Sequence, residues 1–305
     1  MKKIIVIVLL SVFLVSITAC QSPNASEDAG TISIVVTYSV LGSILDDLVG
    51  ELARVTVSVP DGLDPHEWEP SAKDIETLDR ADLVVRNGLG LEAGLEKTLS
   101  IARGRGVKIF TASDYIAVRR VGPGEGVPSG DPDQAVGAPD PHFWTDPLAM
   151  KSVVSALAFE LNNDFGLDVS ARAADLQVRL DALDKAIALT VASLPDNDRK
   201  LVTGHESMGY FAERYGFKLV GVIVPGLSSQ AGVSAASLAA LKTAIEDNRV
   251  KAIFTELGTS PAVARAIGEE TGVRVVEVTT HALPPDGSYF TFMENLAGVI
   301  VGALK

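Results

Sequence analysis

Residues 32–59 read ISIVVTYSVLGSILDDLVGELARVTVSV, and this stretch decides the fold. Two β-branched runs, at 32–36 and 54–59, enclose a segment at 40–48 whose apolar residues follow a helical pattern. A strand, a helix and a second strand in close succession are typical of a parallel sheet with crossover helices.

The same alternation continues along the chain. Strands are predicted at 82–86, 107–110, 200–203, 218–224, 251–255 and 273–278. Helices are predicted at 72–78, 91–102, 210–215, 235–246, 261–271 and 289–304. The sequence therefore predicts an α/β protein with two Rossmann-like lobes, at 31–147 and 196–305.

The segment between the lobes, 148–195, is predicted to be helical. Asp146 and Pro147 provide a cap and a first-turn proline for a helix that runs to about Leu161. A second, long bridging α-helix ends before Pro195, and its apolar stripe contains Leu176, Leu180, Leu183, Ile187, Val191 and Leu194. One long helix is a stiff connection, so we expect only small movements of the lobes. The Gly-, Pro- and Asp-rich segment 121–139 is predicted to be a mobile surface loop.

The first residues have the features of an export signal. Lys2 and Lys3 precede an apolar run at 4–15 that is too short to span a membrane comfortably. Ile17-Thr18-Ala19-Cys20 resembles the lipobox that is cut before the cysteine of a bacterial lipoprotein. We therefore expect residues 1–19 to be removed and Cys20 to anchor the protein to the cell membrane, with 20–30 as a flexible tether and the folded part facing the periplasm or the cell exterior.

Composition excludes several possibilities. The chain has 26 basic and 39 acidic residues, and removal of 1–19, which contains two lysines, leaves 24 and 39. This acidic balance argues against nucleic acid as a partner. Because Cys20 is the only cysteine, the folded part has no intramolecular disulfide and depends on its core or on a bound metal.

Two of the four histidines lie in similar motifs. His66 is in Asp64-Pro65-His66-Glu67-Trp68-Glu69-Pro70, and His142 is in Asp140-Pro141-His142-Phe143-Trp144-Thr145-Asp146-Pro147. Each proline restricts the backbone and holds its histidine in a defined loop. A neutral imidazole is a good ligand for a borderline-soft divalent ion, and Asp64 or Asp140 is available to accept the other ring N–H. Trp68 and Trp144 are expected to shield such a site.

His205 directly follows the predicted strand at 200–203, at the carboxyl edge where open α/β sheets bind ligands. It belongs to the other lobe from His66 and His142. A site that uses all three histidines would lie in the cleft between the lobes, so a metal ion would bind the closed form more tightly than the open form.

These motifs, together with the lipobox, the bridging helix and Ser288-Tyr289 at the start of the last helix, resemble the ZnuA/TroA-type metal receptors of bacterial ABC importers. The resemblance covers essentially the whole mature chain. It implies a monomeric solute-binding protein, not an enzyme, that takes a divalent ion from solution or from a metallochaperone and delivers it to an ABC permease. It also implies four metal ligands, namely His66, His142, His205 and an acid before Ser288-Tyr289, where Asp286 is the only acid close by.

The fourth ligand has two alternatives to Asp286. His281 lies in the same loop and is interpreted as a loop histidine near the mouth of the cleft, because a carboxylate commonly completes such sites. Glu256, after the predicted strand at 251–255, is expected to support His205 from behind. Three imidazoles and a carboxylate suit tetrahedral Zn²⁺ better than Mn²⁺, so zinc is the expected cargo and a manganese receptor of the same family is the alternative.

Two functions of other classes are alternatives to this interpretation. An exported zinc-dependent hydrolase needs an open coordination position, which four protein ligands would fill. The chain also contains neither a His-Glu-x-x-His motif nor a Gly-x-Ser-x-Gly motif. Adhesion to a host surface is compatible with a lipid-anchored protein, but no sequence feature requires it.

Overall fold

The structure is a computed structural model and describes residues 31–122, 125 and 136–305. The predicted signal at 1–19, the lipidated Cys20 and the tether at 20–30 lie outside the described residues. So do residues 123–124 and 126–135 of the predicted loop. At the described ends of that loop, Val121 and Ala138 are joined by a backbone hydrogen bond of 3.0 Å.

The first half of the chain forms a four-stranded parallel sheet with strand order β2-β1-β3-β4. Its strands are β1 (Ile32–Tyr38), β2 (Ala53–Val59), β3 (Leu83–Arg86) and β4 (Lys108–Thr111). The crossover helices are α1 (Ser39–Val49), α2 (Ala72–Asp79) and α3 (Glu96–Gly104). The strand-helix-strand unit predicted from residues 32–59 is therefore confirmed.

Helix α3 is shorter than the helix predicted at 91–102. Gly88, Leu89 and Gly90 have φ values of 89°, 57° and 83°, so the chain turns through left-handed conformations before it can enter a helix. A short 3₁₀ turn, Ala93–Leu95, follows, and the α-helix begins only at Glu96.

Two long helices connect the halves. In α4 (Pro147–Phe165), Pro147 occupies the first turn and the Asp146 side chain accepts a 2.8 Å hydrogen bond from the Leu148 N–H, as the sequence predicts. The helix continues four residues beyond the predicted end at Leu161, and Gly166 ends it in a left-handed conformation with φ 66°. The bridging helix is α5 (Ser170–Val191), and its predicted apolar stripe is buried up to Val191, whereas the buried Leu194 lies three residues beyond the end of the helix.

The second half contains two parallel strand pairs. Strands β5 (Lys200–Thr203) and β6 (Lys218–Val222) form one pair, and β7 (Ala252–Thr255) and β8 (Arg274–Glu277) form the other, with β5 beside β7. The helices of this half are α6 (Gly209–Tyr215), α7 (Ala235–Asn248), α8 (Pro261–Thr271) and α9 (Tyr289–Leu304). The α/β class, the parallel strands and the helical connection are confirmed.

One apolar core links the two halves. It runs from β1 and α1 through the buried faces of α4 and α5 to α9 and to residues of β5 and β7. A smaller core lies between β6, α7 and α8. Residues of both halves therefore pack against one another in this core. In the described part of the chain, we find no helix with the length and hydrophobicity needed to cross a bilayer.

Candidate metal site

All four histidines of the chain meet in one buried cluster, which contains His66, His142, His205 and His281. One ring nitrogen from each lies within 4.8 Å of those of the others. The Nε2 atom of His142 lies 3.2 Å from Nε2 of His66 and 3.2 Å from Nε2 of His205. Nitrogen ligands at about 2.0–2.1 Å from a tetrahedral ion are separated by about 3.3 Å, so these spacings suit a metal site.

Three of these histidines follow the carboxyl ends of strands. His66 lies in the loop after β2, His205 lies two residues after β5, and His281 lies four residues after β8. His142 is contributed by the loop that leads into α4. Because β2 belongs to the four-stranded sheet and β5 and β8 belong to the two strand pairs, loops at the carboxyl ends of strands from both halves contribute to the cluster.

Asp140 orients His142. Its Oδ1 lies 2.9 Å from Nδ1 of His142 and accepts the His142 backbone N–H, also at 2.9 Å. Because the carboxylate can only accept, the His142 ring proton is on Nδ1 and the lone pair on Nε2 faces the cluster. The other oxygen, Oδ2, lies 3.1 Å from Nη1 of Arg119. Asp140 therefore has the orienting role that the sequence predicts.

Asp64 acts on the backbone of its loop. Its Oδ1 accepts the His66 backbone N–H at 2.9 Å, and its Oδ2 accepts the Ser229 hydroxyl at 2.6 Å. The His66 carbonyl also accepts the side-chain amide of Gln230 at 3.2 Å. The segment 229–230, from the second half of the chain, therefore holds the His66 loop in place.

Glu256 is buried behind the two histidines of the second half. Its Oε1 accepts the His205 backbone N–H at 3.1 Å and lies 3.2 Å from His205 Nδ1. The Ser207 hydroxyl lies 2.8 and 2.7 Å from the two carboxylate oxygens, and the Thr280 hydroxyl donates to Oε2. This geometry agrees with the expected support of His205 by Glu256.

The Thr280 contact also determines the state of His281. The Thr280 hydroxyl oxygen lies 2.7 Å from His281 Nδ1, and its own proton is directed to Glu256. Nδ1 of His281 must therefore carry the proton that it shares with Thr280, which leaves a lone pair on Nε2. That Nε2 atom is buried and has no hydrogen-bond partner among the described residues. A buried nitrogen in this state is suited to bind a metal ion.

The pKa values reflect burial and the placement of carboxylates. Burial lowers the pKa of His66, His142 and His281, and neighbouring imidazoles also lower it. Asp140 acts to raise the pKa of His142, and Glu256 that of His281, but neither outweighs burial. Burial also acts to lower the pKa of His205, but the adjacent Glu256 outweighs this effect and raises it. Burial acts to raise the pKa of Glu256, but attraction to His205 and its hydrogen bond lower it overall. Three imidazoles are thus held in the neutral form that binds metals.

The structure corrects the expectation for Asp286. This residue is exposed, its Oδ1 accepts the Ser288 backbone N–H at 3.1 Å, and its Oδ2 accepts the Thr291 hydroxyl at 2.7 Å. These hydrogen bonds, with Thr291 first, lower the pKa of Asp286. Gly287, with φ 67°, turns the chain so that Asp286 lies at the start of α9. Asp286 is outside the cluster, and His281 takes the fourth place.

His281 carried a usable signal in the sequence. It follows a predicted strand, at 273–278, as His205 follows another, and the same argument about the carboxyl edge applies to both. The preference for a carboxylate rests on the resemblance to known receptors and on the frequency of carboxylate ligands in such sites.

The two tryptophans have different roles. The Trp144 ring packs against the rings of His142 and His281, with centroid distances of 5.2 Å to each. Its indole N–H donates to the Thr280 carbonyl at 2.8 Å. Trp144 therefore shields the cluster, as predicted. Trp68 is half-buried and packs against the main apolar core.

Comparisons with known proteins agree with a metal site. The family described as "Zinc-uptake complex component A periplasmic" matches residues 34–303. The manganese-binding lipoprotein MntA of Halalkalibacterium halodurans is 26% identical over 315 residues, and the alignment covers 100% of this chain and 100% of MntA. The zinc-binding lipoprotein AdcA of Streptococcus pneumoniae serotype 4 is 30% identical over 281 residues, which are 90% of this chain and 54% of AdcA. Among solved structures, the periplasmic zinc-binding protein TroA from Treponema pallidum is similar, with a TM-score of 0.76, 27% identity, and coverage of 90% of this chain and 99% of TroA.

Proposed function

The chain belongs to the ZnuA family of periplasmic zinc-uptake components, and on this basis we propose that it is an extracytoplasmic receptor that captures one Zn²⁺ ion and delivers it to an ABC permease. The observation that carries the proposal is the convergence of every histidine in the chain on one buried point.

The proposed ligands are the Nε2 atoms of His66, His142, His205 and His281. Two of the Nε2 separations, both involving His142, are 3.2 Å, close to the ~3.3 Å expected around a tetrahedral ion. The hydrogen-bonded neighbours of His142 and His281 direct an unprotonated Nε2 into the cluster. In this proposal the fourth ligand is His281 and not Asp286.

An all-imidazole site favours zinc over manganese. Imidazole nitrogen suits Zn²⁺, whereas Mn²⁺ prefers oxygen ligands and a higher coordination number. The names of the relatives do not decide the cargo, since one is named for manganese and another for zinc. The choice of zinc therefore rests on the four nitrogen ligands, and a manganese receptor is the alternative that the experiment below must exclude.

The charge of the ion is balanced behind the ligands. Four neutral imidazoles leave the two positive charges of Zn²⁺ uncompensated in a buried site, which would be costly. The buried carboxylates of Asp140 and Glu256 contact His142 and His205 respectively, so one negative charge lies behind a histidine from each half of the chain.

A binding role fits this site better than catalysis. A catalytic zinc ion keeps one position free for water or substrate, whereas four protein ligands complete a tetrahedral sphere. We therefore propose that the protein is not an enzyme.

Capture and release are proposed to depend on the relative position of the two lobes, 31–147 and 196–305. A metal ion held by His66 and His142 on one side and by His205 and His281 on the other stabilises the closed arrangement. Contacts of Ser229 with Asp64 and of Gln230 with the His66 loop support the same arrangement. Docking on the permease would separate the lobes and break ligands from one side. Lipidation at Cys20 would keep the monomeric receptor beside the permease.

The test is a competitive titration of the purified, chelator-stripped protein with Zn²⁺ and Mn²⁺, together with its metal content. We expect one tightly bound Zn²⁺ per chain. His281→Ala removes a ligand and should weaken Zn²⁺ binding more than the roughly 10- to 100-fold typical of an outer-sphere change. Asp286→Ala removes a hydrogen-bond acceptor at the exposed start of α9 and should leave the Zn²⁺ affinity nearly unchanged.

Other outcomes would contradict the proposal. Absence of tight metal binding would overturn the receptor function. Mn²⁺ that outcompetes Zn²⁺ would overturn the choice of cargo. Loss of binding in Asp286→Ala but not in His281→Ala would restore the carboxylate as the fourth ligand.

A further inference from the structure

A polar cluster behind His142 connects the metal site to helix α6. We call it the α6 clasp and define it by Arg119, Asp140 and Tyr210. The Tyr210 hydroxyl accepts the Arg119 backbone N–H at 2.8 Å and donates to the Asp140 carbonyl at 3.2 Å. Arg119 Nη1 lies 3.1 Å from Asp140 Oδ2, and the Arg119 carbonyl accepts the Asp140 N–H at 2.9 Å. The clasp thus holds both the backbone and the carboxylate of the residue that orients His142.

The start of α6 approaches this cluster very closely. A Cβ atom added to Gly209 would lie 2.2 Å from Asp140 Oδ2 and 2.5 Å from Arg119 Nη1. Both distances are far below a normal contact, so only glycine permits this approach. One turn later, Glu213 Oε2 lies 3.4 Å from Arg119 Nε. Two successive turns of helix α6 therefore contact Arg119, and the first of them also contacts Asp140.

The same helix is tied to His205, which lies four residues before its first residue. Between them, Ser207 donates its hydroxyl to Glu256, the carboxylate behind His205. One end of this short segment is thus fixed at His205, and the other is fixed by the clasp to Asp140 and His142. The Nε2 atoms of these two histidines lie 3.2 Å apart.

We propose that Tyr210 is a positioning residue for metal capture, because it sets the spacing between His142 and His205 by docking α6 against the loop of Asp140. This inference rests on the proposed metal-receptor function and assigns a role to a residue that does not touch the ion. A ligand set loses affinity when its supporting contacts let the ligands move from the productive geometry. Removal of the Tyr210 hydroxyl leaves the Asp140 carbonyl and the Arg119 N–H without this partner.

The chain provides a matched control on the same helix. Tyr215 is 6% exposed and Tyr210 is 5% exposed. The Tyr215 hydroxyl lies 3.3 Å from Asp184 on α5, and Arg214, also on α6, contacts the same carboxylate. Tyr215→Phe therefore removes a hydroxyl of equal burial from α6 without changing the contacts of Asp140.

The experiment compares Tyr210→Phe with Tyr215→Phe in the full chain. The loss of one buried hydrogen-bonding group is expected to weaken Zn²⁺ binding about five- to tenfold in Tyr210→Phe. Tyr215→Phe should bind Zn²⁺ within about twofold of the wild type, even if its melting temperature falls as much as that of Tyr210→Phe. The visible absorption spectrum of bound Co²⁺, which reports ligand geometry, should change in Tyr210→Phe alone.

A second pair of variants tests the close approach. Gly209→Ala should weaken Zn²⁺ binding more than Tyr210→Phe does, because the added methyl group pushes α6 away from Asp140. Gly298→Ala, at a helical position of α9 with open space around it, should bind Zn²⁺ like the wild type.

The outcomes separate this inference from the function on which it rests. If the wild type binds Zn²⁺ tightly and Tyr210→Phe matches Tyr215→Phe in affinity and in the Co²⁺ spectrum, the positioning role is wrong and the receptor function stands. If the wild type binds no metal tightly, both are wrong.

Discussion

Substitution of Glu256 by glutamine isolates the contribution of one buried charge to metal capture. The two side chains have nearly the same shape. The Ser207 and Thr280 hydroxyls, which donate to the carboxylate, can rotate and accept from the new amide group. The His205 backbone N–H can still donate to the remaining carbonyl oxygen. The main change is therefore the loss of a negative charge beside His205.

The size of the effect follows from the distances. Glu256 Oε1 lies 3.2 Å from His205 Nδ1, which places a metal ion on Nε2 at roughly 6 Å from the carboxylate. At ~6 Å, a unit charge attracts a divalent ion by about 1.4 kcal/mol in water and by about 5.5 kcal/mol at an effective dielectric constant of 20. Changes to residues behind metal ligands typically cost about 10- to 100-fold in affinity, or about 1.4–2.7 kcal/mol, which lies within this range. We expect Glu256→Gln to weaken Zn²⁺ binding by that amount at pH 8.

The assay is a competitive Zn²⁺ titration at several pH values. Glu256 raises the pKa of His205, so in the wild type a proton competes with the metal ion as the pH falls. In the variant, Glu256 no longer raises the pKa of His205, so protons compete less with the metal ion. The difference in Zn²⁺ affinity between the two proteins should therefore become smaller as the pH falls. Glu92→Gln is the control, since Glu92 is also buried and accepts a threonine hydroxyl, from Thr37, but its hydrogen-bond and ion-pair partners among the described residues include no histidine. Equal affinities of wild type and Glu256→Gln at pH 8, or an equal loss in Glu92→Gln, would refute the reasoning.

Two further predictions concern protons and fluorescence. At neutral pH, Zn²⁺ binding should release up to one proton, because His205 has a raised pKa while the other three histidines have lowered pKa values and are already neutral. Calorimetry in two buffers of different ionisation enthalpy measures this number, and affinity that stays constant from neutral to mildly acidic pH would contradict it. Trp144 packs 5.2 Å from the ring centroids of His142 and His281, so metal binding should change its fluorescence. Trp144→Phe should abolish the change and Trp68→Phe should retain it, and the reverse result would contradict the placement of the two rings.

Most of the fold could be predicted from local patterns. Each strand of β1–β8 contains β-branched residues, and Asp146-Pro147 marked the start of α4. The errors occurred where backbone conformation and not hydrophobicity decides the element. Gly88, Leu89 and Gly90 adopt positive φ values that delay α3, which an apolar pattern at 91–102 does not reveal.

The positions of site residues could be predicted where their loops adjoin a recognisable strand or helix. The positions of His66, His142 and His205 could be inferred because each lies in a loop with a defined place relative to a strand or helix. The fourth position depended on the path of the chain between β8 and α9, and no periodicity describes such a loop. At the start of α9, the Asp286 carboxylate accepts the Ser288 backbone N–H and the Thr291 hydroxyl, and the Ser288 hydroxyl accepts the Thr291 backbone N–H. These local hydrogen bonds hold the acid at the surface.

With His281 and not a carboxylate as the proposed fourth ligand, the site contains no negatively charged ligand. A carboxylate ligand would neutralise part of the ion directly, whereas four imidazoles leave that task to Asp140 and Glu256 behind them. These two carboxylates serve different halves of the chain, and Glu256 also reaches His281 through Thr280. Separation of the halves would therefore divide the ligands into two pairs, each with one compensating carboxylate.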